Sequence, residues 1–329
     1  MTKRATTLDE QISLLRSRGV EISSDEKAKE YLLDIGYYRL CSYLFPFEKT
    51  YPRLSNRTHE VIEGTRLSDA VALYYFDFDL RNILNRYLSR IEVALRTYIT
   101  YTFSNKYKDS PCWFVNPQVV SSSYIKGFNN MVYKAIRKQP IIIRHHKKYP
   151  RDKYAPAWKT LEFMTFGNIE FLYLNLKSLD DKLDICRYFG VNQTAIFENY
   201  VKTVRSFRNT CAHGGILFDI KLSEAIKNGP AGHFIEYDKN NLYGALKVIE
   251  FFLERISTNR LTEMRRKINK ALSALYKLSP KLELTIKKTA GLLQYKKSSY
   301  ICDKFSARIP FVDILCTLKR RKSGLNHCR

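Results

Sequence analysis

Arg208, Asn209 and His213 are the residues of this chain whose types and spacing suggest chemistry, and they close the stretch TAIFENYVKTVRSFRNTCAHGG (194–215). Arginine offers a permanently charged planar fork that matches a phosphate. Histidine titrates near neutral pH and can give or take a proton. Cleavage of RNA without a metal needs groups of this kind: a base at the 2′-hydroxyl, a cation for the phosphorane oxygens, and an acid for the leaving 5′-oxygen. The spacing alone is a weak signal. Arg followed a few residues later by His recurs as Arg53 to His59 and as Arg320 or Arg321 to His327, in turn-rich or tail-like sequence with no apolar periodicity.

The context of Arg208 is different. Phe197, Tyr200, Val204, Phe207 and Cys211 recur at three- and four-residue steps, which predicts a helix over 194–213 with those residues on its buried face. Arg205, Arg208, Asn209 and Ala212 fall off that face, and Gly214-Gly215 supplies the left-handed residue that ends a helix. The cation, the amide and the imidazole then sit within about a turn and a half. A blander alternative stays open: His suits a helix C-terminus simply because the last carbonyls favour a cation.

Composition narrows the setting. Of 329 residues, 45% are hydrophobic and 13% aromatic, enough for a sizeable core. The 56 Lys and Arg outnumber the 32 Asp and Glu, a formal charge of +24, which would attract a polyanion, nucleic acid first and an anionic membrane surface second. No apolar run approaches the roughly 18 residues that a spanning helix needs. The amino terminus MTKRATTLDEQ lacks an apolar leader core, so a cytoplasmic location is expected. The seven cysteines are scattered without a C-x-x-C pair and read as reduced thiols, and His145-His146 lacks nearby partner ligands. No metal site and no cofactor are expected.

The elements that must position the site read as helices throughout. Leu8, Ile12 and Leu15 predict a first helix ending at Gly19; Ser23 with Glu26 predicts a capping box for a second, carrying Ala28, Tyr31, Leu32 and Ile35 inward. IGYYRLCSYLFPF, with its single Arg39, reads as core, and residues 48–62 as a loop. The longest pattern runs from Leu67 to Tyr107, where Leu73, Phe76, Leu80, Leu84, Tyr87, Leu88, Ile91, Leu95 and Tyr98 repeat at helical steps. Its polar face carries two i,i+4 pairs, Asp77 with Arg81 and Glu92 with Arg96. Both are expected to be solvated ladders, with some burial only for Glu92 and Arg96 among their apolar neighbours.

Further on, RKQPIIIRHHKKYPRDKY makes Arg144, His145, Lys147, Lys148 and Arg151 candidate RNA contacts, interleaved with Tyr133, Tyr149 and Tyr154 on which bases could stack. Pro156 opens a segment anchored by Trp158, followed by a helix lined by Phe166, Ile169, Leu172, Tyr173 and Leu176, and after the central helix another at 240–257. From 259 to 329 there are 18 Lys or Arg against 4 Asp or Glu, +14 of the total charge, with helices expected at 261–278 and 280–295 and a basic cluster at Lys319, Arg320, Arg321 and Lys322. FSARIPFVDIL near 305–315 is the best strand signal. The fold class is all-α, divided into an N-terminal helical and aromatic region (1–62), a helical bundle with the Arg-x4-His motif (63–258), and a basic C-terminal region for RNA contact (259–329).

Four segments together resemble a known family: LDEQISLLRSRGVEI with IGYYRLCSYLFPF, LRNILNRYLSRIEVALRTYITY, APAWKTLEFMTFGNIEFLY and VRSFRNTCAHGG. They are similar to the Abi-like (AbiD/AbiF-type) abortive infection proteins, a branch of the HEPN superfamily of α-helical bundles. The resemblance implies a HEPN-like bundle, two-fold dimers, and metal-independent endoribonuclease activity as a phage-defence toxin. It assigns Arg208 and His213 as the catalytic pair and Asn209 as the polar residue after the Arg. Glu92 and Arg96 are implied as support on an earlier helix, with Arg205 beside the motif. It also implies a small structured RNA as a restraining, antitoxin-like partner. Some HEPN toxins carry a Tyr two residues after the His; Gly215 stands there, so regulation through that Tyr is not expected. One His cannot easily be base and acid in one step, and a two-fold dimer would bring two Arg208–His213 pairs to one phosphodiester. It would also crowd Arg205 and Arg208 of both subunits unless RNA or Glu92 offsets them. Two readings compete: a non-catalytic RNA-binding bundle in a ribonucleoprotein complex, and a protein-interaction or membrane-surface component.

Overall fold

The structure is a computed structural model that describes residues 4–292 of the chain; the basic cluster 319–322 and the 305–315 stretch lie outside the described residues. It is all-α, and among the described residues β-structure is confined to isolated bridges such as Glu48 with Val61. The helices are α1 (Leu8–Ser17), α2 (Asp25–Ile35), α3 (Tyr37–Leu44), α4 (Leu67–Lys106), α5 (Ser122–Phe128), α6 (Lys134–Ile136), α7 (Pro140–Lys148), α8 (Ala157–Thr160), α9 (Phe166–Leu174), α10 (Leu179–Tyr188), α11 (Thr194–Ala212), α12 (Leu242–Ile256), α13 (Thr258–Tyr276) and α14 (Pro280–Ala290). Among the described residues no helix is long and apolar enough to cross a membrane.

The 40-residue α4 is the strut of the bundle, and α3, α11, α12 and α13 pack along it. Its apolar residues recur at three- and four-residue steps, so Leu73, Leu80, Leu84, Leu88, Ile99 and Phe103 are all fully buried. Each such side chain contributes about 1.5–3 kcal/mol by leaving water, and Leu84→Ala would cost roughly 2–5 kcal/mol. α11 buries Phe197, Tyr200, Val204 and Phe207 completely, in agreement with the periodicity that predicts it. α13 buries Leu261, Met264, Ile268, Leu272 and Leu275, so the start of the basic C-terminal stretch also forms core.

Four expectations need correction. Ser24, one residue later than expected, caps α2: its hydroxyl accepts from the Lys27 amide, because Ser24 holds the extended backbone of a cap. Trp158 is 54% exposed and anchors nothing, whereas Trp113, in the loop after α4, is fully buried and donates its indole N–H to the Ser104 hydroxyl. Asp77 and Arg81 are not a solvated ladder. Both are buried, as an ion pair at the face where α4 meets α3 and the segment after α11. The final helix stops at Ala290, where Gly291 takes the left-handed conformation (φ +68°), short of the expected 295.

Candidate active site at the end of helix α11

The site is built where α11 ends. The His213 amide donates to the Asn209 carbonyl at 3.0 Å, the last turn of the helix, and Gly214 then turns the chain with φ +68°. That conformation costs an L-residue about 1–2 kcal/mol, which is why glycine stands there. The Gly215 amide reaches back to the Thr210 carbonyl at 2.9 Å, and Leu217 and Phe218 drop into the core with no exposed surface.

This turn is fastened from two other helices. Arg39 of α3 donates from Nη1 to the Gly214 carbonyl at 2.8 Å. Arg81 of α4 donates from Nη1 to the Gly215 carbonyl at 3.0 Å, to the Tyr43 hydroxyl at 3.2 Å, and to Asp77. Asp77 in turn accepts the amides of Leu217 (3.1 Å) and Phe218 (2.8 Å) and the Tyr43 hydroxyl (2.9 Å). Burial pushes the Asp77 carboxyl above its ordinary range, while Arg81 and the two amides oppose that shift. A buried carboxylate surrounded by donors is the arrangement that lets a charge survive inside a core. His213 itself is exposed, and no hydrogen bond or ion pair reaches its ring among the described residues.

Arg208 stands one turn and a half back on α11, half-exposed. Its Nε donates to Glu92 Oε2 at 3.2 Å and its Nη1 to the Asn209 side-chain oxygen at 3.4 Å. The other Glu92 oxygen accepts from Arg96 Nη2 at 2.8 Å, and Arg96 also donates to the Met164 carbonyl at 3.1 Å. One nearly buried carboxylate thus orients two arginines and brings Glu92, Arg96, Arg208 and Asn209 together. Arg205 takes a separate partner, an ion pair with Glu170 of α9, whose carboxyl burial pushes up and Arg205 partly pulls back. Arg205 thus has Glu170 beside it, and Arg208 shares Glu92 with Arg96.

The basic segment divides by exposure. Arg144, Lys147, Lys148 and Arg151 are exposed on and just after α7. His145 is 4% exposed, lies against the Tyr149 ring and faces Asp152 at 3.1 Å, which removes it from the surface an RNA would touch. Tyr133 is also buried, its hydroxyl accepting the Ala155 amide at 2.7 Å and bonding the His146 ring, so no base can stack on it. Tyr149 remains available at 45% exposure. Lys319, Arg320, Arg321 and Lys322 lie outside the described residues. Among the described residues no three His, Cys, Asp or Glu side chains gather to hold a metal ion.

Sequence reasoning missed Arg39, Asp77, Arg81 and Glu170. The only signal was a charged residue embedded in an otherwise apolar or aromatic run, as with Arg39 in IGYYRLCSYLFPF.

Residues 30–219 match the family described as Abi-like protein, a span that begins in α2, includes all of α3, α4 and α11, and ends just past the fastened turn. No curated protein and no solved structure matches the chain. The match covers more than half of the sequence and takes in every residue of the site just described, and the chain belongs to the Abi-like protein family.

Proposed function

We propose that this chain is a metal-independent endoribonuclease of the HEPN type, acting in abortive infection as a phage-defence toxin. The observation that carries the reading is the pairing of an oriented Arg208, held by Glu92 and Asn209, with an exposed His213 on a glycine turn fastened by Arg39 and Arg81. A preorganised cation lowers the cost of charge on the phosphorane, because its orientation is fixed before the reaction begins. His213 serves as base toward the 2′-hydroxyl or as acid toward the 5′-oxygen, and the products carry 2′,3′-cyclic phosphate and 5′-hydroxyl ends. A two-fold dimer with the α11 ends facing one another supplies the second His. RNA is both the substrate and, as a small structured molecule, the proposed restraint.

The test is incubation of the purified protein with RNA in EDTA, beside Arg208→Ala and His213→Ala forms of unchanged fold. Loss of positioned acid–base catalysis costs about 10²–10⁴-fold. Cleavage that persists in the His213→Ala protein rejects the assignment, and RNA retention without cleavage in the wild type favours a binding protein. In cells, the wild type should arrest growth and His213→Ala should not.

A further inference from the structure

Four of the five arginines around the end of α11 are already matched to carboxylates. Arg81 has Asp77, Arg96 and Arg208 share Glu92, and Arg205 has Glu170. Arg39 differs. It is exposed on α3, and among the described residues its one hydrogen bond is to a neutral acceptor, the Gly214 carbonyl at 2.8 Å. A Cβ placed on Gly214 would lie 3.8 Å from its Nη1 and 3.9 Å from its Nη2, so both terminal nitrogens lie alongside the residue that follows His213.

We propose that Arg39 is a phosphate-contacting residue of the same site, engaging the RNA backbone next to His213. The proposal rests on the reading of this site as one that takes RNA. A guanidinium carries five N–H donors, and the Gly214 carbonyl uses one. The remaining donors form a fork suited to a phosphate, and among the described residues no acidic side chain pairs with the charge. The C-terminal carbonyls of α11 make that end of the helix a favourable place for a cation, which explains how Arg39 is held in position while solvent-exposed. Arg208 is the complementary case: Glu92, which it shares with Arg96, orients it and offsets part of its charge, so it adds less net attraction for an incoming anion than an arginine with no carboxylate beside it. The two arginines thus divide the work, Arg39 drawing the phosphate to the turn and Arg208 meeting the charge that develops on it. The bland alternative is that Arg39 only clamps the turn.

Arg39→Gln removes the charge and, its amide being two bonds shorter, also the reach to the Gly214 carbonyl. The salt slope then separates the readings, since loss of a mere clamp lowers the unfolding midpoint and leaves the slope unchanged. The probe is a labelled, short single-stranded RNA with 2′-O-methyl groups, which binds but cannot be cut. Its dissociation constant is measured across a salt series for wild type, Arg39→Gln and Arg39→Lys, with thermal unfolding as the control for fold. Loss of one phosphate contact should weaken binding about tenfold at low salt and reduce the slope of log K against log salt by about 0.7. Arg39→Lys should keep the slope and lose cleavage of unmodified RNA about tenfold, because the fork is gone. An Arg39→Gln protein with wild-type slope and affinity overturns the proposal, whether or not it still cuts. If Arg39→Gln unfolds, undiminished cleavage in Arg39→Lys overturns it instead. A wild type that binds the probe but never cuts RNA sinks the nuclease reading alone, and the slope still decides the role of Arg39. A wild type that does not bind the probe overturns both.

Discussion

On α4 two acid–arginine pairs repeat the same i,i+4 spacing fifteen residues apart, Asp77 with Arg81 and Glu92 with Arg96. In isolation each would contribute a few tenths of a kcal/mol on a solvated helix. The fold gives them different work. Asp77 and Arg81 are sealed from water and spend their hydrogen bonds on backbone: the carboxylate on the Leu217 and Phe218 amides, the guanidinium on the Gly215 carbonyl. Glu92 lies at the edge of the core and reaches the half-exposed Arg208, a side chain with a free edge toward solvent. One pair holds the path of the chain after His213; the other holds the direction of a cation. Spacing made the pairs, but access to water decided which was sealed into the core and which reached the half-exposed Arg208 of the candidate site.

The sharpest way to break this comparison is Asp77→Ala. It leaves Arg81 buried without its partner and two amides without an acceptor, a loss of about 3–5 kcal/mol. Chemical denaturation measures it, and a cost below about 1 kcal/mol would show that the pair is dispensable. Glu92→Gln is the matched experiment on the second pair. Arg96 keeps the Met164 carbonyl and Arg208 keeps Asn209, so stability should change little. Orientation of Arg208 should suffer, lowering kcat by roughly tenfold to a hundredfold, the value of a hydrogen bond to a charged group. RNA affinity should hold or rise, because a negative charge has been removed. Weaker RNA binding with unchanged kcat would reverse the roles given to the two pairs.

Gly214→Ala comes next in size. At φ +68° the added Cβ is strained by about 1–2 kcal/mol, and the turn that presents His213 would shift or loosen. Thermal unfolding reports the stability change and RNA cleavage the loss of presentation. A variant with wild-type cleavage would mean that His213 is not placed by this turn.

Local patterning made much of this legible. The periodicity of α4 and α11 marks their buried faces because a 3.6-residue repeat has one solution, and the Gly pair after His213 marks the helix end. What the sequence could not show lies at long range. Arg39 meets Gly214 across 175 residues, and Asp77 meets Leu217 across 140. Neither contact leaves a periodic trace, since one charged residue in an apolar run looks the same whether it points to water, to a backbone carbonyl or to a ligand. The cap of α2 slipped by one residue because Ser23 and Ser24 are chemically equivalent candidates. Trp158 drew attention by size alone, yet the buried indole is Trp113, whose N–H finds Ser104.

A third acid–arginine pair tests the principle at its weakest point. Glu170 on α9 is nearly buried, while its partner Arg205 on α11 keeps about a third of its side-chain surface in water (36%). Burial raises the Glu170 carboxyl above its ordinary value and Arg205 offsets only part of the rise. A carboxyl with a raised folded-state pKa favours folding below the ordinary value of 4.5, and that contribution is lost as pH climbs through the folded one. Glu170→Gln mimics the protonated form at every pH. At pH 7 it should therefore be neutral or slightly stabilising, by under about 1 kcal/mol, because the half-exposed Arg205 is rehydrated when its partner is neutralised. As the pH falls toward the acid range, the difference from wild type should close. Unfolding midpoints of the two proteins across that range provide the measurement. A Gln variant that is clearly less stable at pH 7 would mean that attraction outweighs desolvation here, and that Arg205–Glu170 belongs with Asp77–Arg81 as a fastener of the fold.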